Sequence, residues 1–282
     1  MRNRLRKNLS RILSSEDVGT VYNSYDVIGD IAIIRMPCGS FEIAQIAAKA
    51  IIGANKNVKT VLAQESPVAG DFRLRRLTYV TGENKTSTIH KESGCLFSVD
   101  VAKCYFSPRL SHERMRIARM VKPNETVVNM FAGVGCFSII IAKHASPEKV
   151  FSVDINPAAI QYMKKNIRLN RVYAKVIPWL GDSKEIIDSR LQRVADRVLM
   201  PLPEKAFEYL PCAVSALKAS GGWIHYYDFE HAIQTESSGE KVKLKVTERL
   251  DALSVDFDVS FIRVVRSTGP NWYQLAADIH VT

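Results

Sequence analysis

A glycine-containing turn at the end of a predicted strand is the first place where the sequence has residues suited to ligand binding. Residues 129–136 read Asn-Met-Phe-Ala-Gly-Val-Gly-Cys, so Gly133 and Gly135 stand at the start of a predicted helix. Glycines at such a position let the backbone approach a ligand at the carboxyl end of a parallel strand. The same pair is also compatible with a tight strand-to-helix turn that binds nothing.

Carboxylates follow the next two predicted strands. Asp154 ends the segment Val-Phe-Ser-Val-Asp, and Asp182 follows Leu-Gly after the next strand. Asp154 is placed to accept hydrogen bonds from ribose hydroxyls, because it lies about 20 residues beyond the glycine turn. Asp182 either accepts from an adenine amino group or caps the helix that follows it. Together these features predict a nucleoside cofactor; the spacing fits NAD and S-adenosylmethionine alike, but the lack of a third glycine disfavours a pyrophosphate cradle.

Two prolines flank Leu202 directly after the fourth strand of this region. Residues 196–203 read Asp-Arg-Val-Leu-Met-Pro-Leu-Pro, and the prolines fix the backbone where substrates bind in sheets of this kind. Rigid turns of this type can present backbone carbonyls or amides to an extruded nucleobase. Taken alone, the segment is equally compatible with an ordinary loop.

Helix and strand patterns alternate from Ser111 onward, which predicts an α/β fold with a parallel sheet covered by helices on both faces. Strands are predicted at 126–130, 149–153, 174–178, 195–200 and 223–228. Helices are predicted at 111–121, 134–144, 157–170, 183–192, 204–219 and 237–253. Two successive strands, 259–265 and 272–279, predict an antiparallel edge. In the first helix Ser111 is the predicted N-cap, and the residues predicted on its polar faces are Arg114, Arg116 and Arg119.

The region before this alternation has a different pattern and is predicted to form a small α+β module over residues 20–104. A strand pair over 27–36 is interrupted at Gly29-Asp30, and apolar residues at helical spacing predict a helix over 41–54. Further strands are predicted at 58–63, 74–80, 86–90 and 95–101. Residues 1–19 are predicted to be a basic arm, and residues 105–282 are predicted to be the catalytic domain.

The composition narrows the class of partner and the location of the protein. The 282 residues have a formal net charge of +10, an excess that favours a polyanionic partner but is also found in basic enzymes that never bind nucleic acid. No apolar run reaches the about 20 residues that span a bilayer, and no secretion signal follows the basic N-terminus, so we expect a cytoplasmic protein. The five cysteines lack C-x-x-C spacing, which predicts reduced thiols and no metal site.

Several segments resemble the archaeal and eukaryotic tRNA (guanine-37) N1-methyltransferases. They are residues 70–76, 105–114, 129–138, 153–157, 196–210, 221–227 and 265–267. The resemblance covers residues 20–280, and the sister family, the wybutosine-pathway aminocarboxypropyl transferases, shares most of these motifs. It implies a Rossmann-like class I methyltransferase domain, S-adenosylmethionine as cofactor, the anticodon arm of tRNA as partner, and a cellular role in maintaining the reading frame. We expect a monomer.

The resemblance also implies roles for individual residues. Glu113 matches the general base that takes the proton from guanine N1. Arg73 matches the arginine that holds guanine O6 and stabilises the negative charge developing there, with Arg75 as a competitor because the register is soft. The residues expected to bind the cofactor are Tyr105, Phe131, Gly133, Gly135, Asp154, Ile155, Asn156, Asp182 and Met200. The residues expected to bind the RNA substrate are Arg109, Arg114, Pro201 and Pro203.

The chain departs from the family pattern at three positions beside the expected site. Asn129 stands where the family usually has Asp, and Cys136 where it has Pro. Pro201 replaces the Asn of the family's Asn-Leu-Pro motif and lacks the amide that binds the target guanosine. A backbone carbonyl, of Met200 or of Leu202, is then the expected acceptor for the guanine amino group. We also expect the chain to lack the extra N-terminal domain that contacts the tRNA elbow in many archaeal members.

Three rival functions remain open from the sequence. One is a wybutosine-pathway transferase, which moves the aminocarboxypropyl group of the same cofactor or methylates a tricyclic guanosine derivative. Another is a non-catalytic RNA-binding protein that keeps the fold, which the departures at Asn129 and Pro201 favour. A small-molecule methyltransferase is the third, and both the net charge of +10 and the upstream module disfavour it.

Overall fold

The computed structural model describes residues 9–10, 14–22, 24–35 and 41–282. Much of the predicted basic arm therefore lies outside the described residues, as do Met36 of the predicted strand pair and Cys38. The chain divides into two units, Met1–Arg109 and Leu110–Thr282. Tyr105 and Arg109 thus belong to the first unit, whereas Glu113 belongs to the second.

The first unit contains a four-stranded sheet in the order β1-β2-β3-β4. Its strands are β1 (Asp26–Ile28), β2 (Ile31–Arg35), β3 (Thr60–Gln64) and β4 (Leu77–Gly82). The predicted strand pair and the predicted helix are confirmed, because β1 and β2 pair antiparallel and the helix spans Phe41–Ala54. That helix (α2, after α1 at Ser15–Thr20) connects the parallel strands β2 and β3. Its buried residues, spaced three and four apart, form one apolar stripe over the sheet: Ala44, Ala47, Ala48 and Ile51.

The remaining strands of the first unit form a hairpin of β5 (Ser87–Glu92) and β6 (Cys95–Asp100). Ser93 and Gly94 make its two-residue turn with φ of 48° and 72°. Positive φ at both central positions gives the twist that two-residue hairpins require. The strands predicted at 86–90 and 95–101 are confirmed as the two strands of this hairpin.

The second unit is built on a seven-stranded sheet in the order β12-β13-β11-β10-β7-β8-β9. Its strands are β7 (Thr126–Asn129), β8 (Lys149–Asp154), β9 (Val176–Leu180), β10 (Arg197–Met200), β11 (Gly222–His231), β12 (Phe257–Gly269) and β13 (Trp272–Val281). Neighbours from β9 to β11 pair parallel, and β13 pairs antiparallel with both β11 and β12. The predicted α/β class and its antiparallel edge are confirmed.

Helices connect these strands and supply much of the core. They are α3 (Ser111–Met120), α4 (Cys136–His144), α5 (Pro157–Asn170), α6 (Ser183–Ile186), α7 (Pro203–Ala216) and α8 (Ser238–Asp251). The predicted N-cap at Ser111 is wrong: Leu110, the end of a 3-10 turn, occupies the cap position, and no side chain caps the helix. The helix predicted over 183–192 is a short α-helix that continues as a π-helix, Ile187–Leu191.

Candidate active site

The strand order reverses direction between β7 and β10, which are neighbours although two further strands separate them in the sequence. Leu199 of β10 lies opposite Asn129 of β7 in the parallel register. From β7 the chain proceeds outward through β8 and β9, and it then returns to the other side of β7 with β10. A crevice for ligands forms at the carboxyl ends of the strands at such a switch point. The glycine turn and the proline turn both follow directly from these two strand ends.

The glycine turn after β7 has a conformation that glycine favours. Gly133 and Gly135 have φ of 56° and 92°, and Gly135 occupies the cap position of α4. A Cβ at Gly135 would lie 2.7 Å from Cγ of Met163 and 3.1 Å from Cδ1 of Ile139. Both the left-handed backbone and the close packing therefore require glycine at this position.

Asp154, at the end of β8, holds the glycine turn in place. The backbone N–H of Gly133 donates to Oδ2 of Asp154 at 2.6 Å, and that of Asn156 donates to Oδ1 at 2.9 Å. Burial raises the pKa of Asp154, and these two backbone bonds act against that rise. Each carboxylate oxygen can still accept a second hydrogen bond. Ribose binding by Asp154 stays a prediction, and the contact with Gly133 is an additional structural role.

Two apolar side chains stand exposed at neighbouring strand ends. Ile155, directly after β8, is 45% exposed, and Leu180, the last residue of β9, is 52% exposed. Phe131 lies in the glycine turn with its ring centroid 5.3 Å from that of Tyr209. Exposed aliphatic side chains at this edge suit a flat base better than they suit water. The neighbouring Asn156 is buried and caps α5, accepting from Ala158 through its side chain.

Asp182 is the N-cap of α6, one of the two roles that its position in the sequence left open. Its Oδ1 accepts from the backbone N–H of Lys184 at 2.7 Å. Its Oδ2 accepts from the hydroxyl of Tyr209 at 2.6 Å. Both oxygens thus have a protein donor, and contact with an adenine amino group stays a prediction that depends on their second lone pairs.

The proline turn after β10 distinguishes between the two carbonyls proposed as guanine acceptors. The carbonyl of Leu202 accepts from the backbone N–H groups of Lys205 and Ala206 at 3.1 and 3.0 Å. The carbonyl of Leu202 therefore accepts the first hydrogen bonds of α7. Pro203 lies in the first turn of this helix, where the missing N–H has no partner to lose. Of the two carbonyls, that of Met200, at the end of β10, is the one not used to start α7, and its contact with a base stays a prediction.

Asn129, the first departure from the family pattern, is fully buried and hydrogen-bonded. Its Nδ2 donates to Oγ of Ser138 at 3.1 Å, and its Oδ1 accepts from the N–H of Phe131 at 3.4 Å. Ser152 also donates to Ser138, at 2.7 Å. Asparagine satisfies both a donor and an acceptor here, so this position contributes to the shape of the turn without a carboxylate.

Glu113 is a buried carboxylate on α3, with only 1% of its surface exposed. Nη2 of Arg116 donates to Oε1 of Glu113 at 2.7 Å. Nε of Arg116 donates to both carboxylate oxygens, to Oε1 at 3.1 Å and to Oε2 at 3.0 Å. The hydroxyl of Tyr227 donates to Oε1 at 2.8 Å, and Nη1 of Arg263 lies 3.7 Å from Oε2. Glu113 lies in the first turn of α3, but these contacts exclude a solvent-facing carboxylate there.

The prediction that Arg114 lies on a polar, outward face of α3 is wrong. It is only 4% exposed, and its guanidinium lies 5.9 Å from the centroid of the Phe137 ring. The inner face of α3 consists of Glu113, Arg114, Ile117 and Ala118. Charged residues occupy a stripe that the sequence pattern assigned to solvent, and a buried Arg114 is not presented to RNA. Arg116 also points inward, whereas Arg119 is exposed.

The sequence did not single out His225 and Asp278, which lie behind Glu113. Arg116 donates to both oxygens of Asp278, at 2.5 and 3.1 Å, and Nδ1 of His225 lies 2.5 Å from Oδ1 of Asp278. Both residues are at most 2% exposed. A signal existed, because each interrupts an otherwise apolar or aromatic stretch of a strand: Ile-His-Tyr at 224–226 and Ala-Asp-Ile at 277–279.

The site residues predicted in the first unit lie close to one another. The guanidinium of Arg73 lies 4.4 Å from the ring centroid of Tyr105, and Arg73 has a positive φ of 54°. Nη1 of Arg75 donates to Gln64 at 3.1 Å, and burial lowers the pKa of Arg75. Arg109, predicted to bind RNA, donates from Nε to Asp26 at 2.7 Å.

The described residues contain no helix that is both long and apolar enough to cross a bilayer. Nor do they contain a group of three or more His, Cys, Asp or Glu side chains arranged to hold a metal ion. The four cysteines among them are not joined by disulfide bonds.

Residues 88–254 match the family described as the TRM5/TYW2 methyltransferase domain, and residues 5–86 match the TYW2 N-terminal domain. The tRNA (guanine(37)-N(1))-methyltransferase Trm5b of Pyrococcus abyssi is 44% identical over 92% of this chain and 75% of its own length. The tRNA 4-demethylwyosine(37)-methyltransferase Taw21 of Saccharolobus solfataricus is 33% identical, over 94% of this chain and 96% of its own length. The crystal structure of Methanocaldococcus jannaschii Trm5 in complex with adenosine has a TM-score of 0.81 and 35% identity, covering 98% of this chain and 78% of that one. This chain belongs to the TRM5/TYW2 methyltransferase family.

Proposed function

We propose that this protein is a tRNA (guanine-37-N1)-methyltransferase that transfers a methyl group from S-adenosylmethionine to N1 of the guanine at tRNA position 37. The observation that carries the proposal is the buried Glu113 carboxylate, held by Arg116 and Tyr227 in a chain of this family. N1–H of guanine is a weak acid, so a positioned carboxylate must take its proton when N1 is methylated. The Pyrococcus abyssi relative, at 44% identity, bears this activity in its name.

The residues at the switch point fit S-adenosylmethionine. The glycine turn has no room for a Cβ at Gly135, Asp154 retains accepting capacity, and Ile155 and Leu180 expose aliphatic surface beside it. Gly133 and Phe131 lie in the same turn, and the carboxylate of Asp154 beside it supplies negative charge near the position expected for the sulfonium. When bound, the cofactor supplies an electrophilic methyl group. The protein's task is to orient the target base and to remove one proton.

Glu113 has one oxygen better suited than the other to accept that proton. Oε1 accepts from both Arg116 and Tyr227, at 2.7 and 2.8 Å. Oε2 accepts from Nε of Arg116 at 3.0 Å, with Arg263 further away at 3.7 Å. Oε2 therefore has the greater remaining capacity, and we assign the proton-accepting role to it.

Arg73 is proposed to hold guanine O6, as the family resemblance implies. Its guanidinium lies 4.4 Å from the centroid of the Tyr105 ring, so the two residues that the resemblance assigns to the target base and the cofactor are adjacent in the first unit. The carbonyl of Met200 is proposed to accept from the guanine amino group, within the rigid turn set by Pro201 and Pro203. Arg109 is proposed to contact the RNA backbone, whereas the buried Arg114 is withdrawn from the RNA-binding set.

The partner is tRNA, and we propose that the anticodon arm is the part recognised, since it presents the base at position 37. We further propose a monomer that acts in the cytoplasm. The net charge of +10 favours contact with the phosphates of the arm, so binding should weaken as salt increases.

A second candidate is methylation of 4-demethylwyosine at the same tRNA position. Pro201 favours it, because that residue lacks the amide with which the family contacts guanosine. The Saccharolobus solfataricus relative, which bears this activity in its name, is matched over 96% of its length. Both candidates use the same cofactor and differ only in the base that enters the site.

Mass spectrometry of nucleosides distinguishes the candidates. The substrate is an unmodified tRNA transcript with guanosine at position 37, incubated with the protein and S-adenosylmethionine, and the matched control transcript has adenosine at that position. One added methyl, located as 1-methylguanosine and absent from the control, is the expected result. A larger added group, or methylation only of tRNA that contains the tricyclic precursor, would replace the proposal with a wybutosine-pathway activity.

A further inference from the structure

Arg116 lies between two buried carboxylates and divides its donors between them. Nε and Nη2 donate to Glu113, at 3.0 and 2.7 Å, while Nη1 and Nη2 donate to Asp278, at 2.5 and 3.1 Å. The side chains of Glu113 and Asp278 are 1% and 2% exposed, and that of Arg116 is 17% exposed. A guanidinium shared in this way neutralises the charge of each carboxylate only in part. Because both carboxylates are buried, water does not screen the charge that is left.

Asp278 is fixed from its other side by His225. Nη1 of Arg197 lies 2.7 Å from Nε2 of His225, and because arginine can only donate, Nε2 must be the acceptor. The ring is then neutral with its proton on Nδ1, which donates to Asp278 at 2.5 Å. Complete burial lowers the pKa of His225, although the hydrogen bond to Asp278 acts in the opposite direction. This agrees with a neutral ring.

The chain of contacts ends at Glu125 and at the last turn of α3. Arg197 donates to both oxygens of Glu125, at 2.8 and 3.0 Å, and to the carbonyl of Met120 at 3.0 Å. These contacts attach the carboxyl end of α3, the helix that carries Glu113, to Arg197 of β10. Acidic and basic groups alternate from Glu125 to Glu113, with the neutral His225 as the central link.

We propose that Asp278, oriented by His225, is a positioning residue for Glu113: it binds one side of the Arg116 guanidinium and so holds Arg116 where its other donors fix the orientation of the Glu113 carboxylate. This rests on the proposed role of Glu113. Without Asp278, Arg116 keeps one anionic partner instead of two, and the guanidinium can turn away from the geometry in which it orients Glu113. A less precisely oriented carboxylate removes the proton more slowly.

The other charged groups near Glu113 do not replace Asp278. Arg263, on β12, adds positive charge at 3.7 Å, and Tyr227, on β11, donates a hydrogen bond. Both contact the carboxylate of Glu113 and not Arg116. Asp278, on β13, is the carboxylate that the described residues bring to the other side of Arg116.

The test is Asp278→Asn in the full-length protein, with kcat and KM for the guanosine-37 transcript measured at neutral pH. We expect kcat to fall about tenfold, because the base is less well oriented. The KM for tRNA and the affinity for S-adenosylmethionine should stay within about twofold, since Asp278 is only 2% exposed. The matched control is Asp228→Asn, another buried carboxylate of this sheet, which accepts from Tyr226 and Lys245. It should keep kcat within about twofold of the wild-type value.

The outcomes separate this inference from the proposed function. An inactive wild-type protein would overturn both. An active wild type, with an Asp278→Asn variant whose kcat equals that of wild type or falls no further than that of Asp228→Asn, would overturn this inference and leave the proposed function intact. If Asp278→Asn does not fold, the pair His225→Asn and His225→Leu decides. The asparagine amide can replace the Nδ1 donor to Asp278 and should retain most activity, whereas leucine should show the loss; equal activity of the two overturns the inference.

Discussion

The hydroxyl of Tyr227, on β11, donates a 2.8 Å hydrogen bond to Oε1 of Glu113, on α3, across 114 positions of the sequence. Both side chains are buried. Burial raises the pKa of Tyr227 well above its usual value, and the adjacent negative charge of Glu113 raises it further. The phenol is therefore a permanent donor to Oε1 and does not contact Oε2, the oxygen proposed to accept the proton.

Tyr227→Phe should lower kcat about three- to tenfold, because Oε1 loses a hydrogen bond that fixes the orientation of the carboxylate. The matched control is Tyr226→Phe, which removes the equally buried neighbouring hydroxyl; that hydroxyl donates to Asp228 at 2.7 Å instead. Single-turnover rates with the guanosine-37 transcript measure the effect. A similar loss in both variants would indicate a general packing defect and would remove Tyr227 from the orientation of Glu113.

Glu113→Gln should reduce turnover by about 10²–10⁴-fold with little change in affinity for S-adenosylmethionine. The amide keeps the size of the side chain but cannot take the N1 proton. Calorimetric titration gives the affinity, and circular dichroism verifies folding, because Arg116 loses one of its two anionic partners. Turnover equal to that of wild type would exclude Glu113 as the base.

Because of Asp278, the free energy of unfolding should fall as the pH is lowered in the acidic range. Burial alone would raise its pKa, but hydrogen bonds from His225 and Arg116 outweigh burial and bring the pKa from 3.8 down to about 2. A group whose pKa is lower in the folded state contributes stability above its unfolded pKa, and this is lost as the pH falls through the folded value. The contribution is about 2 kcal/mol. Urea unfolding between pH 5 and 2 should thus be less pH-dependent for Asp278→Asn than for wild type; equal slopes would contradict the assignment.

Gly135→Ala should weaken binding of S-adenosylmethionine about tenfold and lower the melting temperature, because a Cβ there meets Met163 and Ile139 and the backbone has φ of 92°. Gly94→Ala is the matched control, since Gly94 has φ of 72° but nothing within 4 Å of the added atom. The Gly94→Ala variant has the same kind of backbone strain, about 1 kcal/mol, but its Cβ collides with no other atom. If both variants bind the cofactor as wild type does, the glycine turn does not form the cofactor site.

The sequence was sufficient for the order and type of the elements in the second unit, because largely apolar strands alternate with amphipathic helices. The helix Pro157–Asn170 coincides with its prediction, and Asn156 caps it through its side chain as such residues do at helix starts. The glycine turn after β7 was also readable, since few residues other than glycine tolerate its φ angles.

The surroundings of Glu113 were not readable from the sequence. Glu113, Arg114 and Arg116 form a charged stretch that local pattern assigns to solvent, and burial of such residues depends on partners distant in the sequence. Asp278 is one of these partners, 162 positions from Arg116. Pairing between remote strands and helices leaves no periodic signal, so only an isolated charge within an apolar strand indicates it.

Pro201→Asn tests how the base is recognised. If the carbonyl of Met200 accepts from the guanine amino group, a side-chain amide at position 201 adds a contact to the one already present. We expect kcat/KM for the guanosine-37 transcript to rise about three- to tenfold, the gain from one further hydrogen bond. Pro201→Ala is the control, because it removes the ring without adding an amide and should lower kcat/KM by loosening the turn before α7. A fall in both variants would mean that the proline ring itself fits the substrate, as a base other than unmodified guanine would require.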